Sequence, residues 1–192
     1  MRLDELNALD DETAERELLR CCGSPRWARD IAASRPFDGA EAMARTSDAI
    51  WPSLERADWL EAFAAHPKIG AHAEAPAATP GPPARQPRWC AGWGPGASAE
   101  KVGGPLRTEW ATQEQSGVAS ASDGVRDRLA ASNRDYEARF GYIFIVCATG
   151  KTAGEMLAML EQRLTNDPDD ELRIAAEEQR KITRLRLAKL LT

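Results

Sequence analysis

The sequence predicts an all-α fold, a single-domain helical bundle of about eight helices with one long Pro/Gly-rich insertion. Helix start and stop signals follow one another closely in the first third of the chain. No segment in its first 66 residues alternates apolar and polar side chains as a half-buried strand would. Further on, one apolar stripe has the three- and four-residue spacing of a helix face: Val125, Leu129, Ser132, Tyr136 and Phe140. At 192 residues the chain suits one domain, residues 1–192, with a sizeable core.

Capping residues predict the helices of the first third. Asp10 or Asp11 can cap a helix that ends near Cys22, and Ser24-Pro25 places an N-cap serine before a proline at the first helical position. A third helix is expected over residues 39–51. A fourth, capped by Ser53, should end at His66, because the residue before a proline is excluded from the α region.

The second half is also predicted to be helical, with one segment left open. Helices are expected over residues 106–117, 123–140 and 169–190, and Thr152 and Glu155 form a capping box for another. Between them, the run GYIFIVCATG can be a helix, a strand or a pocket-lining loop, since periodicity alone does not assign it.

Residues 73–105 form the predicted insertion. They contain seven of the twelve prolines and six of the fourteen glycines, a density that excludes regular helix or strand. The segment is either a surface insertion or a partly ordered lid, and Trp89 and Trp93 favour some packing because large aromatic side chains tend to bury.

Composition excludes several classes of protein. The net charge of −5 argues against a nucleic-acid surface, and no apolar run is long enough to predict a membrane span. The first residues are acidic where a signal peptide would be basic and then apolar. Four cysteines without CxxC spacing or histidine partners predict reduced thiols, no metal site and a cytoplasmic protein.

The sequence ATGKT resembles the end of a phosphate-binding loop but does not satisfy its requirements. That motif needs a glycine five residues before Gly150, so that backbone amides can surround phosphate groups. Ile145 occupies this position, and nucleotide binding is therefore not expected.

Three sites carry side chains suited to chemistry. His66 lies at a predicted helix end, where the dipole favours the imidazolium form, although a simple helix cap is the alternative. Glu114 and Gln115 follow an apolar turn, and Glu114 is otherwise a solvated helix residue. Arg186 stands between two leucines and is otherwise a surface charge or an ion-pair partner. Together, a histidine, a carboxylate and a buried arginine would suit a small anionic substrate.

Several motifs resemble the 2-oxo-4-hydroxy-4-carboxy-5-ureidoimidazoline (OHCU) decarboxylase family. The most specific are AHPKIG at residues 65–70 and RFGYIFIVCATGKTA at residues 139–153. Further matching stretches are LNALD at 6–10, EQSGV at 114–118, RLTND at 163–167 and EQRKITRLRL at 178–187. The resemblance covers nearly the whole chain except residues 73–105.

The resemblance implies an all-α, cofactor-free lyase that acts on a small-molecule substrate without a metal and forms a homodimer. It implies decarboxylation of OHCU to (S)-allantoin in urate degradation, with no nucleic-acid or membrane partner. His66 matches the proton donor of the family and Glu114 its partner carboxylate. The matching substrate contacts are Pro67, Ala111, Gln115, Phe140, Gly141, Tyr142, Ile143, Phe144 and Arg186.

Two departures from the family pattern motivate an alternative. Ala111 stands where the family usually has serine, and the insertion directly follows the AHPKIG motif. A helical binding module that kept the fold but lost turnover is therefore the competing hypothesis. The final LAKLLT lacks a peroxisomal ending, which agrees with the cytoplasmic expectation.

Overall fold

The structure is a computed structural model that describes residues 1–69, 110, 113–114, 116 and 121–192. Eight α-helices lie wholly within these residues, which contain no strand. In chain order they are α1 Leu3–Ala8, α2 Asp11–Leu19, α3 Pro25–Ala33, α4 Ala40–Ile50, α5 Arg56–Ala64, α6 Asp123–Phe140, α7 Ala153–Arg163 and α8 Pro168–Leu190. The all-α prediction is confirmed, and residues 73–105 lie outside the described part of the chain.

Most helix starts occur where the capping residues predict them. The Asp10 side chain accepts the amide of Thr13 at 2.9 Å, and Pro25 occupies the first position of α3 after the N-cap Ser24. At the start of α7, Thr152 and Glu155 form the predicted capping box.

The start of α5 and the existence of α1 differ from prediction. Ser53 belongs to a short 3₁₀ turn, Trp51–Ser53, and α5 instead begins after Glu55, whose side chain and that of Asp58 cap each other's backbone. The six-residue α1 was not predicted. It is held from outside by Arg35, whose Nη1 donates to the carbonyls of Leu6 at 2.9 Å and Leu9 at 2.6 Å.

The core joins the N-terminal helices to α8. Trp27 of α3 is fully buried, and its indole N–H donates to the Ser47 hydroxyl of α4 at 3.2 Å. Trp51 is also buried and donates to the carbonyl of Ala176 in α8 at 2.9 Å. Because both indoles satisfy their polar group inside the core, each fixes the relative position of two helices.

The apolar run that the sequence left unassigned is neither helix nor strand. Gly141, with φ of 79°, ends α6 in the left-handed conformation. Residues 143–148 then have no regular secondary structure, although residues 144–148 are buried. Of the three alternatives, the structure therefore shows a buried loop.

Across the described ranges, no helix has the length and apolar character needed to cross a membrane.

Candidate active site

His66 lies just beyond the C-terminus of α5. The helix ends at Ala64, two residues earlier than predicted, and the His66 amide still donates to the carbonyl of Phe63 at 3.0 Å. Pro67 follows and prevents the backbone from continuing the helix. The imidazole therefore extends from the negative end of the α5 dipole, a position that favours its protonated form.

The loop after His66 is attached to α6. Lys68 forms a 2.6 Å ion pair with Glu137, and the buried Ile69 accepts a 3.1 Å hydrogen bond on its carbonyl from the Asn133 side chain. These two contacts, both directly after Pro67, fix the position of the loop relative to α6.

Glu114 binds two cations of α8. Arg186 Nη2 donates to one oxygen of the Glu114 carboxylate at 2.7 Å, and Arg186 Nε donates to the other at 3.2 Å. Lys189 Nζ adds a third contact at 3.3 Å. The side chains of Arg186 and Glu114 are only 1% and 9% exposed, so this is a nearly dry bidentate pair.

One pocket brings His66, Glu114 and Arg186 together. The space between these side chains, counted together with the open solvent at the mouth of the pocket, is about 420 Å³. The remaining lining residues are Pro67, Ile69, Phe144, Ile145, Val146, Ala148, Thr149, Ile182 and Leu185.

The polar groups of this pocket are few and lie against apolar walls. Arg186 is fully buried, and its Nη1 has no hydrogen-bond partner among the described residues. A buried guanidinium nitrogen with unused donors is unfavourable unless a ligand oxygen or water accepts from it. The arrangement can therefore bind an oxygen-bearing anion beside a histidine.

Residues 144–149, which we call the wall segment, form one side of the pocket. Five of these six residues line it, all except Cys147. Phe144 was predicted to contact substrate, whereas Ile145, Val146, Ala148 and Thr149 were not. No sequence signal separated these positions from their neighbours, because the whole run is apolar and lacks a period.

The other predicted positions of this run lie outside the pocket lining. Phe140, Tyr142 and Phe144 surround the Tyr136 ring, with ring centroids 4.6, 5.8 and 5.3 Å from it. Burial raises the pKa of Tyr142 to about 12, so its hydroxyl stays protonated near neutral pH. Gly141 is exposed and Ile143 is half-buried. Ala111 and Gln115 fall outside the described residues.

Three contributions from α8 were missed. Ile182 and Leu185 line the pocket and Lys189 contacts Glu114, while Arg186 was the only site residue predicted on this helix. Spacing gives a signal for two of them, since Ile182, Arg186 and Lys189 share one helix face at intervals of four and three residues.

A family model described as OHCU decarboxylase matches residues 7–85 and 99–188. The chain belongs to the OHCU decarboxylase family. The internal stretch that the model leaves unmatched, residues 86–98, falls inside the Pro/Gly-rich segment predicted from the sequence.

The chain is similar to several curated proteins of urate degradation. It is 36% identical over 179 residues to the uric acid degradation bifunctional protein TTL of Arabidopsis thaliana, covering 93% of this chain and 48% of that protein. It is 39% identical over 75 residues to the 2-oxo-4-hydroxy-4-carboxy-5-ureidoimidazoline decarboxylase of Amia calva, covering 39% of this chain and 43% of that protein. The chain thus spans about half the length of the curated relatives it matches.

Solved structures agree with the OHCU decarboxylase fold. A crystal structure of an OHCU decarboxylase in the presence of (S)-allantoin is 35% identical, with a TM-score of 0.68, covering 92% of this chain and 97% of that one. A structure of an (S)-allantoin synthase, 18% identical with a TM-score of 0.64, covers 100% of this chain and 54% of that one and shows the fold alone.

Proposed function

We propose that this chain is a carboxy-lyase that converts OHCU to (S)-allantoin in urate degradation. The observation that carries the proposal is the pocket in which His66 stands beside the Glu114–Arg186 pair. Family membership supports the reaction class, and the crystal structure obtained with (S)-allantoin is of a relative that is similar over most of both chains.

The chemistry needs a held anion and one directed proton. The bond from the ring carbon to the carboxylate breaks, CO₂ leaves, and the electron pair spreads into the adjacent C=N unit. A proton added to one face of the resulting carbon nucleophile gives a single enantiomer of allantoin. A site that fixes the anion and offers its acid from one side lowers the barrier and sets the stereochemistry.

His66 is proposed as the acid. Its place at a helix C-terminus favours the imidazolium, the only form that can donate a proton and then remain as a neutral ring. Glu114 accepts hydrogen bonds from Arg186 and Lys189 and is proposed as the partner carboxylate rather than the proton donor.

Arg186 is proposed to bind substrate through the nitrogen that Glu114 does not use. Nε and Nη2 donate to Glu114, Nη1 is buried without a partner among the described residues, and Arg186 lines the pocket. One guanidinium would then position the partner carboxylate and a substrate oxygen together. The substrate contacts expected for Pro67, Ala111, Gln115 and the backbone of residues 140–144 remain part of the proposal, and of these Pro67 and Phe144 line the pocket.

A coupled assay tests the proposed reaction. OHCU is generated in situ from urate with a uricase and the hydrolase that follows it, and (S)-allantoin is monitored by circular dichroism. We expect faster and more stereoselective product formation than in buffer. Equal rate and equal selectivity would contradict the enzyme and favour the alternative, a catalytically impaired binding module.

A homodimer and a cytoplasmic location are likewise proposals. The dimer follows from the family resemblance, and the location from reduced cysteines, of which Cys147 is a buried free thiol. A single domain over residues 1–192, with residues 73–105 as an insertion, also remains a prediction. Light scattering of the purified protein measures the first of these directly.

A further inference from the structure

The wall segment lacks the partners that regular secondary structure would give its backbone. A buried loop must satisfy each peptide N–H and C=O in another way. Here side chains form hydrogen bonds with three of these backbone groups. Arg163 Nη1 donates to the carbonyl of Ile145 at 2.9 Å, and Lys151 Nζ donates to the carbonyl of Cys147 at 2.7 Å. The amide of Cys147 donates to Glu178 Oε2 at 2.8 Å.

The Glu178 carboxylate links the wall segment to α8. Glu178 lies on α8, is 7% exposed, and directs one carboxylate oxygen to the Cys147 amide while the other accepts from Lys181 Nζ at 2.5 Å. Cys147 stands between Val146 and Ala148, which both line the pocket. Because each peptide unit is planar, fixing the N–H and the C=O of Cys147 orients the peptides on either side of it.

We propose that Glu178 is a positioning residue for decarboxylation, holding the wall segment in its substrate-binding shape through the Cys147 amide. The inference rests on the proposed function. Glu178 does not itself line the pocket, so it acts on substrate only through residues 146–148.

Glu178 separates this role from folding better than Arg163 does. Arg163 also pairs with Glu171, and both side chains are buried in the core, so any substitution there disturbs stability and the wall together. Glu178 pairs instead with Lys181, whose side chain is 55% exposed. Its carboxylate can be changed with less effect on the core.

The experiment compares three variants of the full chain in the coupled assay. Glu178→Ala should raise KM by about tenfold or more, with kcat changed less, because a charge-assisted hydrogen bond to the wall is lost. Glu178→Gln keeps an acceptor oxygen and should restore most of the KM. Lys181→Ala, the matched control, removes the exposed partner but leaves the carboxylate on Cys147, and should behave like the wild type.

A second measurement does not depend on turnover. Hydrogen exchange of the Cys147 amide, followed by NMR, should be faster in Glu178→Ala and slower again in Glu178→Gln. Far-UV circular dichroism and thermal unfolding establish that each variant is folded.

The outcomes separate this inference from the function it rests on. With an active wild type, an unchanged KM in Glu178→Ala overturns the proposal, as does a Gln variant as impaired as the Ala variant. A Lys181→Ala variant with the same defect would also overturn it. If the wild type shows no decarboxylation, the proposed function fails, and Cys147 exchange alone decides whether Glu178 holds the wall.

Discussion

The Glu114 carboxylate contacts two cationic side chains of α8. Arg186 binds both of its oxygens, and Lys189 adds a third, longer contact from a side chain that is 30% exposed. The planar guanidinium matches the carboxylate in a way that an ammonium cannot. Arg186 therefore fixes Glu114 with two of its nitrogens and also lines the pocket, while its Nη1 has no hydrogen-bond partner among the described residues.

Replacing Arg186 by lysine keeps the positive charge but removes the planar guanidinium, so it tests whether bidentate binding contributes to activity. Arg186→Lys should lower kcat/KM at least about tenfold, because a lysine cannot bind both oxygens of Glu114 and a substrate oxygen together. Arg184→Lys is the matched control. It lies on the exposed side of α8 and pairs with Glu41 and Asp48, so its activity should stay close to that of the wild type. Equal effects of the two substitutions would contradict the role of Arg186.

At the scale of elements, the end of α6 directs the chain into the wall segment. Gly141 adopts φ of 79°, a conformation that is unfavourable for residues with a Cβ, although a Cβ there would meet no other atom. Gly124 lies near the start of the same helix and also has free space for a Cβ, but its backbone is helical.

Alanine substitutions at these two glycines should have opposite signs. Gly141→Ala should lower the free energy of unfolding by about 1 kcal/mol through backbone strain, whereas Gly124→Ala should raise it by up to about 1 kcal/mol. Urea denaturation monitored by circular dichroism measures both. Destabilisation by both, or by neither, would show that the left-handed turn does not determine the Gly141 effect.

Helix starts could be predicted from the sequence where a nearby capping side chain determines them. The caps at Asp10, Ser24 and Thr152 depend on side chains within a few residues, so sequence reasoning could locate them. α1 and the wall segment depend on distant groups. Arg35 holds the first and Glu178 contacts the second, and neither contact leaves a periodic pattern in the residues that it orders.

At the scale of the whole molecule, buried ionic contacts connect stability to pH. Burial alone would raise the pKa of Glu178, but hydrogen bonds from Lys181 and the Cys147 amide and the charges of Lys181 and Lys151 outweigh it. The pKa is therefore below its ordinary value of 4.5. A carboxyl with a depressed folded-state pKa stabilises the fold above the unfolded-state pKa, and this contribution is lost as the pH falls through the folded value.

The stability difference between the wild type and Glu178→Gln should therefore depend on pH. The wild type should have the larger advantage near pH 7, and the advantage should shrink once the pH falls below about 4.5. Thermal unfolding of both proteins from neutral to acidic pH measures it. A difference that stays constant or grows on acidification would contradict the lowered pKa of Glu178.

Sequence reasoning named three of the polar residues that line the pocket, but not how they come together. His66, Glu114 and Arg186 were each identified from residue type and family resemblance, and the structure places all three around one pocket. Their mutual contacts depend on how α8 packs against α5 and against Glu114, which is distant in sequence from both. For that reason the direct Glu114–Arg186 pair, the role of Lys189 and the lining residues 145, 146, 148 and 149 were not predicted.

We propose that His66 delivers the proton that makes (S)-allantoin. The most direct measurement is the enantiomeric composition and rate of allantoin formed from in situ OHCU by the wild type and by His66→Ala, with circular dichroism confirming that both are folded. We expect rapid, predominantly (S) product from the wild type, and from the variant a rate lower by about two or more orders of magnitude, with little selectivity. Wild-type rate and selectivity in His66→Ala would show that His66 does not supply the proton.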